Sequence, residues 1–123
     1  MGIKALGYVV IATAKPQEWE HFFTQVVGAM PAPGAPAGVQ FYRVDDRPFR
    51  FWIEQGQDEK LLTAAYEVAD AAALEALAGR IAAAGRPVEQ GSADAAAARG
   101  VAAFFRTSDP AGNGLEFFHG DSR

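Results

Sequence analysis

Phe104-Phe105-Arg106-Thr107-Ser108-Asp109-Pro110-Ala111-Gly112-Asn113-Gly114-Leu115-Glu116-Phe117-Phe118-His119-Gly120 is the stretch whose reading decides the fold. Asp109, Pro110, Gly112, Asn113 and Gly114 cluster at its centre. Residues of these types set φ or hydrogen-bond their own backbone, so the cluster predicts a turn. The flanking runs, 101–106 and 115–119, are short and rich in Phe, and predict the two strands of a hairpin.

Working outward, the first half of the chain begins with an apolar run from Ile3 to Ala14, rich in β-branched residues, which predicts a buried strand. Pro16 suits the first turn of a helix, with Glu18 and Glu20 favourable near its N-terminus. Trp19, Phe22, Phe23, Val26 and Val27 recur at helical spacing and predict one apolar face packed on the sheet, with Gly28 as the stop. A Pro- and Gly-rich loop over 29–38 precedes strands at 39–44 and 49–55, joined by a turn at 45–48.

The second half repeats the order. A strand covers 61–69, Asp70 is placed to cap a helix over 71–84, and Leu74, Leu77, Ala78, Ile81 and Ala84 form its apolar face. A short strand at 87–90 and a brief Ala-rich helix capped by Ser92 lead into the hairpin. Trp19-Glu20 aligns with Leu74-Glu75, and Gly38-Val39 aligns with Gly100-Val101. Each Gly-Val pair precedes an aromatic pair and an Arg, Phe41-Tyr42-Arg43 and Phe104-Phe105-Arg106. The pattern predicts an internal repeat in one domain over 1–123, with modules of about 1–57 and 58–123. Neither half covers its own sheet, so the two are expected to join in one curved mixed sheet with helices outside.

Composition bounds the function. The chain has 123 residues, half of them hydrophobic, nine Phe and a net charge of −4. That supports a single packed domain and argues against a nucleic-acid partner. Cysteine is absent, which removes thiolate metal sites and disulfides. No apolar run approaches the roughly 20 residues of a membrane span, and no signal peptide is read, so a soluble cytoplasmic protein is the expectation.

Asp109-Pro110-Ala111-Gly112-Asn113 with Glu116 beyond it resembles the last hairpin of a vicinal oxygen chelate module. The rest of the chain resembles the N-terminal domain of type I extradiol dioxygenases, of the 2,3-dihydroxybiphenyl 1,2-dioxygenase kind, within the glyoxalase/bleomycin resistance/dioxygenase superfamily. The resembling stretches are residues 3–10, 44–50, 66–70 and Arg99-Gly100-Val101 leading into the hairpin. The resemblance implies an α+β fold of two βαβββ modules. It also implies a second domain, beyond this chain, that holds Fe(II) through two His and one Glu, and a role in the breakdown of aromatic compounds.

In metal-binding relatives the first strand of a module and its last hairpin supply ligands. The resemblance places these positions at Tyr8, near Ala64, near Trp52 and at Glu116. Tyr, Ala and Trp suit a packed core rather than a metal cup. Glu116 is the one metal-ligand candidate, with a structural pairing to an Arg or a hydroxyl as the favoured reading, because a buried carboxylate needs a partner. The chain has two histidines. His21 lies on the outer helix, and His119, three residues from Glu116 on one strand, faces the other way. No catalytic residue is assigned. Tyr8, Trp52, Phe104 and Phe118 are candidates for ligand or interface contacts.

Three functional readings stand at this point. The first is a metal-free N-terminal domain with a structural and assembly role, its partners the second domain and further copies in a homo-oligomer. The second is a free-standing binding protein of the same fold for an aromatic or antibiotic ligand. The third is a metal enzyme completed by dimerisation. Oxygen-activating iron sites use two His and a carboxylate on one face, which this residue set does not supply. Protein reconstituted anaerobically with Fe(II) is therefore expected to hold no stoichiometric iron; elemental analysis showing one tightly bound iron per chain overturns that expectation.

Overall fold

The computed structural model describes residues 3–121. Eight strands form one mixed sheet in the order β2-β3-β4-β1-β5-β8-β7-β6. The strands are β1 (Ile3–Thr13), β2 (Met30–Ala32), β3 (Val39–Arg43), β4 (Phe51–Gln55), β5 (Lys60–Val68), β6 (Glu89–Gln90), β7 (Ala103–Ser108) and β8 (Gly114–His119). The helices are α1 (Pro16–His21), extended by a π-helical turn over Phe22–Val27, α2 (Ala71–Ala83) and α3 (Ala93–Arg99).

The central strands carry an internal twofold. β1 and β5 run antiparallel, with Tyr8 opposite Ala65 and Val10 opposite Thr63. Each then runs parallel to a strand from its own half: Val10 lies beside Trp52 of β4, and Ala65 beside Glu116 of β8. Tyr8 is thus the twofold mate of Thr63, and Trp52 the mate of Glu116. The sequence expectation placed the mate of Tyr8 near Ala64; strand alternation narrows it to Thr63, because Ala64 points to the opposite face.

The sheet is strongly curved. Tyr8, Val10, Phe41, Trp52, Ala65, Phe104 and Phe118 form one buried cluster on its inner face. The Arg99 guanidinium lies 5.2 Å from the ring centre of Trp52 on β4 and 4.3 Å from that of Phe104 on β7. Those strands are four positions apart, a separation of roughly 19 Å in a flat sheet. One guanidinium spans them only if the sheet closes around it.

The outer face holds two more clusters. α2 buries Leu74 and Ala78 against Val68, Phe105 and Phe117. Phe23 packs with Tyr42, Ile53 and Ala29, with Trp19 at the edge. The caps follow the sequence: Asp70 Oδ1 accepts the Ala73 N–H at 2.8 Å and Ser92 Oγ accepts that of Ala95 at 3.1 Å. In the hairpin turn, Asp109 accepts the backbone N–H groups of Ala111 and Asn113 and the Asn113 side-chain amide.

The first helix departs from expectation. Ideal helical spacing puts Phe22, Phe23, Val26 and Val27 on one buried face. The π-helical turn has i to i+5 hydrogen bonds, so residues beyond His21 fall out of that register. Phe23 turns inward, 3% exposed, while Phe22 and Val26 are 46% and 67% exposed and Val27 and Met30 also face out. Leu77 and Ile81 are half-buried at the edge of the α2 cluster rather than at its centre. The strand expected from residue 49 begins at Phe51, with the side chain of Arg50 just before it held by Asp45.

Leu74→Ala is expected to cost about 2–5 kcal/mol in urea unfolding, the range for opening a cavity under a buried Leu. Val26→Ala is expected to stay within about 0.5 kcal/mol, as for surface changes. Equal losses at both positions are incompatible with this packing.

Candidate functional site

Glu116 sits on the inner face of β8, 1% exposed. Its placement follows from the hairpin: the turn sets Arg106 opposite Glu116 and Phe104 opposite Phe118. A carboxylate this deep is unfavourable unless its charge is met and its oxygens are hydrogen-bonded. Both conditions hold. Tyr8 Oη donates to Glu116 Oε1 at 2.5 Å, and Arg99 Nε donates to the same oxygen at 2.7 Å. Arg99 Nη2 donates to Oε2 at 3.1 Å. The Arg106 guanidinium reaches Oε2 at 3.5 Å from the solvent side.

Arg99 is positioned by local sequence. It is the last residue of α3, which Gly100 ends in the left-handed region at φ 68°. Its Nη1 donates to Ala95 O in its own helix at 3.1 Å, and its guanidinium stacks between Trp52 and Phe104. Such stacking stabilises a cation by the ring quadrupole. Burial works against the Arg99 charge, but the bonds and charge of Glu116 outweigh it and raise its pKa above the ordinary Arg value. Burial, and then the charge of Glu116, push the Tyr8 hydroxyl well above the ordinary tyrosine range. Tyr8 is therefore a proton donor to Glu116 at any ordinary pH.

The sequence candidates divide in the fold. Tyr8, Phe104, Phe118 and Glu116 come together, but the three aromatic rings are buried in the inner core with no open surface for a ligand. Phe118 even lies where a side chain at position 7 would sit: a Cβ on Gly7 would come 2.3 Å from its ring. Trp52 alone of the four aromatics lines an open cleft, of about 340 Å³, with Val10, Leu62, Thr63, Glu54, Arg106 and Glu116. His21 is exposed on α1, and His119 lies on the opposite face from Glu116. Arg47 is buried and paired with Glu67 at 2.9 Å and Asp121 at 2.6 Å, and Arg50 is paired with Asp45.

The inner cup does not fit a metal ion. Its twofold-related positions hold Tyr8, Thr63, Trp52 and Glu116, and a guanidinium already occupies the side of Glu116 where a cation would lie. Among the described residues no group of three or more His, Cys, Asp or Glu is placed to hold a metal. Arg99 is the residue that sequence reasoning missed. The available signal was its place immediately before a helix-ending Gly, with Glu116 left as a buried carboxylate in need of a partner.

Comparison with known proteins agrees with this architecture. The family model for dihydroxybiphenyl dioxygenase BphC D1 matches residues 6–56. The chain is 38% identical over 122 residues to the biphenyl-2,3-diol 1,2-dioxygenase of Paraburkholderia xenovorans (strain LB400), covering 99% of this chain and 41% of that protein. It is 32% identical to the iron-dependent extradiol dioxygenase of Rhodococcus jostii (strain RHA1), covering 98% of this chain and 40% of that one. Among solved structures, BphC, a halotolerant catechol dioxygenase, superposes with TM-score 0.93 at 23% identity, over 98% of this chain and 41% of its own. A catechol 2,3-dioxygenase gives 0.91 at 25% identity, over 98% and 42%. The chain spans about two fifths of the length of these relatives, and its fold is the vicinal oxygen chelate fold.

The raised Tyr8 pKa has a signed consequence. Above about pH 10 an unfolded tyrosine loses its proton while buried Tyr8 keeps its own. Unfolding then releases a proton, and stability falls by about 1.4 kcal/mol per pH unit from this group. Urea midpoints measured across that window are expected to fall more steeply for the native chain than for Tyr8→Phe. Parallel slopes are the contrary result.

Proposed function

As the counterpart of the N-terminal domain of extradiol dioxygenases, which it matches in sequence and fold, this chain, we propose, is a metal-free structural domain. It consists of two modules, 1–57 and 58–123, and it buttresses and helps assemble a catalytic domain that holds Fe(II) and cleaves a catechol ring. The observation that carries this reading is the Tyr8–Glu116–Arg99 cluster: the Glu116 carboxylate, 1% exposed in the cup, is bonded to a hydroxyl and a guanidinium. Extradiol cleavage needs a metal with open positions for substrate and oxygen, and this cup holds a salt bridge in that place. The exposed apolar residues Phe22, Val26, Val27 and Met30, close together in sequence after α1, support a docking role. The partners are the catalytic domain and further copies of the same protein, in the cytoplasm.

A second reading, a free-standing binding protein, draws support from the cleft beside Trp52. Affinity for the catalytic domain separates the two.

With Fe(II) and oxygen, the purified 123-residue chain is expected to leave 2,3-dihydroxybiphenyl uncleaved, with no yellow product in a spectrophotometric assay. The separately expressed catalytic domain of a relative is expected to bind it and to gain solubility or turnover. Ring cleavage by this chain alone overturns the non-catalytic reading. A monomer with no affinity for the catalytic domain favours the binding protein.

A further inference from the structure

We infer that the cleft beside Trp52 is a binding site for a small organic monoacid, held by Arg106 and Thr63. The inference goes beyond the docking role and does not rest on it. The cleft, about 340 Å³, has apolar walls from Val10, Leu62 and Trp52. Wide clefts with apolar walls and a few convergent polar groups are the usual form of small-molecule sites.

Three features set the ligand chemistry. The first is a surplus guanidinium. Tyr8 and Arg99 already satisfy both oxygens of Glu116, so the 3.5 Å contact from Arg106 adds a cation where one is not needed. The other ion pair of Arg106, to Glu89, is 3.9 Å long, and its side chain is 46% exposed. A guanidinium presents a planar fork that matches a carboxylate. The second is the Thr63 hydroxyl, which lines the cleft and makes no side-chain hydrogen bond among the described residues. The third is Gly114. A Cβ there would come 2.9 Å from Thr63 Oγ1 and 2.5 Å from Leu62 O, so the bare Cα keeps the hydroxyl open to the cleft.

With Arg99 committed to Glu116, Arg106 is the guanidinium of the cleft left to face a ligand, which suits a single acid group. Arg99 cancels Glu116. Glu54, the remaining carboxylate of the cleft, accepts from Trp52 Nε1 at 2.9 Å and disfavours a second acid group nearby. The occupant is thus a carboxylate on a flat apolar body, its head on Arg106 and Thr63 and its body along Trp52.

Benzoate is the probe. Titrated into the intact chain, it is expected to shift the Trp52 indole N–H resonance in NMR spectra and leave that of Trp19 in place. Arg106→Gln and Thr63→Val are each expected to weaken binding by about tenfold, the loss for one charge-assisted hydrogen bond. Thr63→Ser, which keeps the hydroxyl, is expected to retain it. Benzylamine, with the same body and the opposite charge, is expected to bind more weakly than benzoate. Benzoate binding that ignores both Arg106→Gln and Thr63→Val, or tighter binding of benzylamine, overturns the inference. So does the absence of any shift at Trp52. None of these outcomes bears on affinity for a catalytic domain.

Discussion

The most deeply buried carboxylate, Glu116, constrains this fold. Glu116 is tolerable on the inner face only while Tyr8 and Arg99 meet it, and those residues come from β1 and from the end of α3. Removing one partner of such a pair leaves an uncompensated buried charge, among the more severe defects a core can suffer. The register of the hairpin, the placement of α3 on the inner rim and the closure of the sheet all answer to that requirement. The stacked rings of Trp52 and Phe104 hold the guanidinium from either side, so aromatic packing and ion pairing reinforce each other.

The twofold relation between the halves is kept in the backbone and broken in the side chains. Tyr8 fills one half of the cup, while its mate Thr63 is small and leaves a cleft. Glu116 supplies the charge on one side, while its mate Trp52 supplies a flat apolar wall on the other. The recess is therefore walled by Trp52 from one half and by Glu116 with its guanidinium partners from the other.

Much of this was legible in the residues. The turn cluster at Asp109–Gly114, the caps at Asp70 and Ser92, and the paired Gly-Val landmarks fixed element order and fold because each is a local signal. The site was less legible. Arg99 meets Glu116 across 17 positions of sequence, and no local pattern announces a pairing made by sheet closure. The reading placed the mate of Tyr8 only near Ala64, because strand faces alternate and register decides which neighbour faces inward. The outer helix misled for a different reason. Its apolar spacing is regular, but the π-helical turn after His21 rotates Phe22 and Val26 into solvent. Spacing predicts a face only when the helix keeps its period.

The Arg99 guanidinium also changes how the cup responds to its surroundings. A cup closed by a dissolved ion is stabilised by mass action, in proportion to the logarithm of free ion over its dissociation constant. Here the counter-ion is tethered by the covalent chain, and its effective concentration is set by α3 and Gly100 rather than by the medium. The charge that meets Glu116 is therefore delivered by folding itself, when α3 and the hairpin come together.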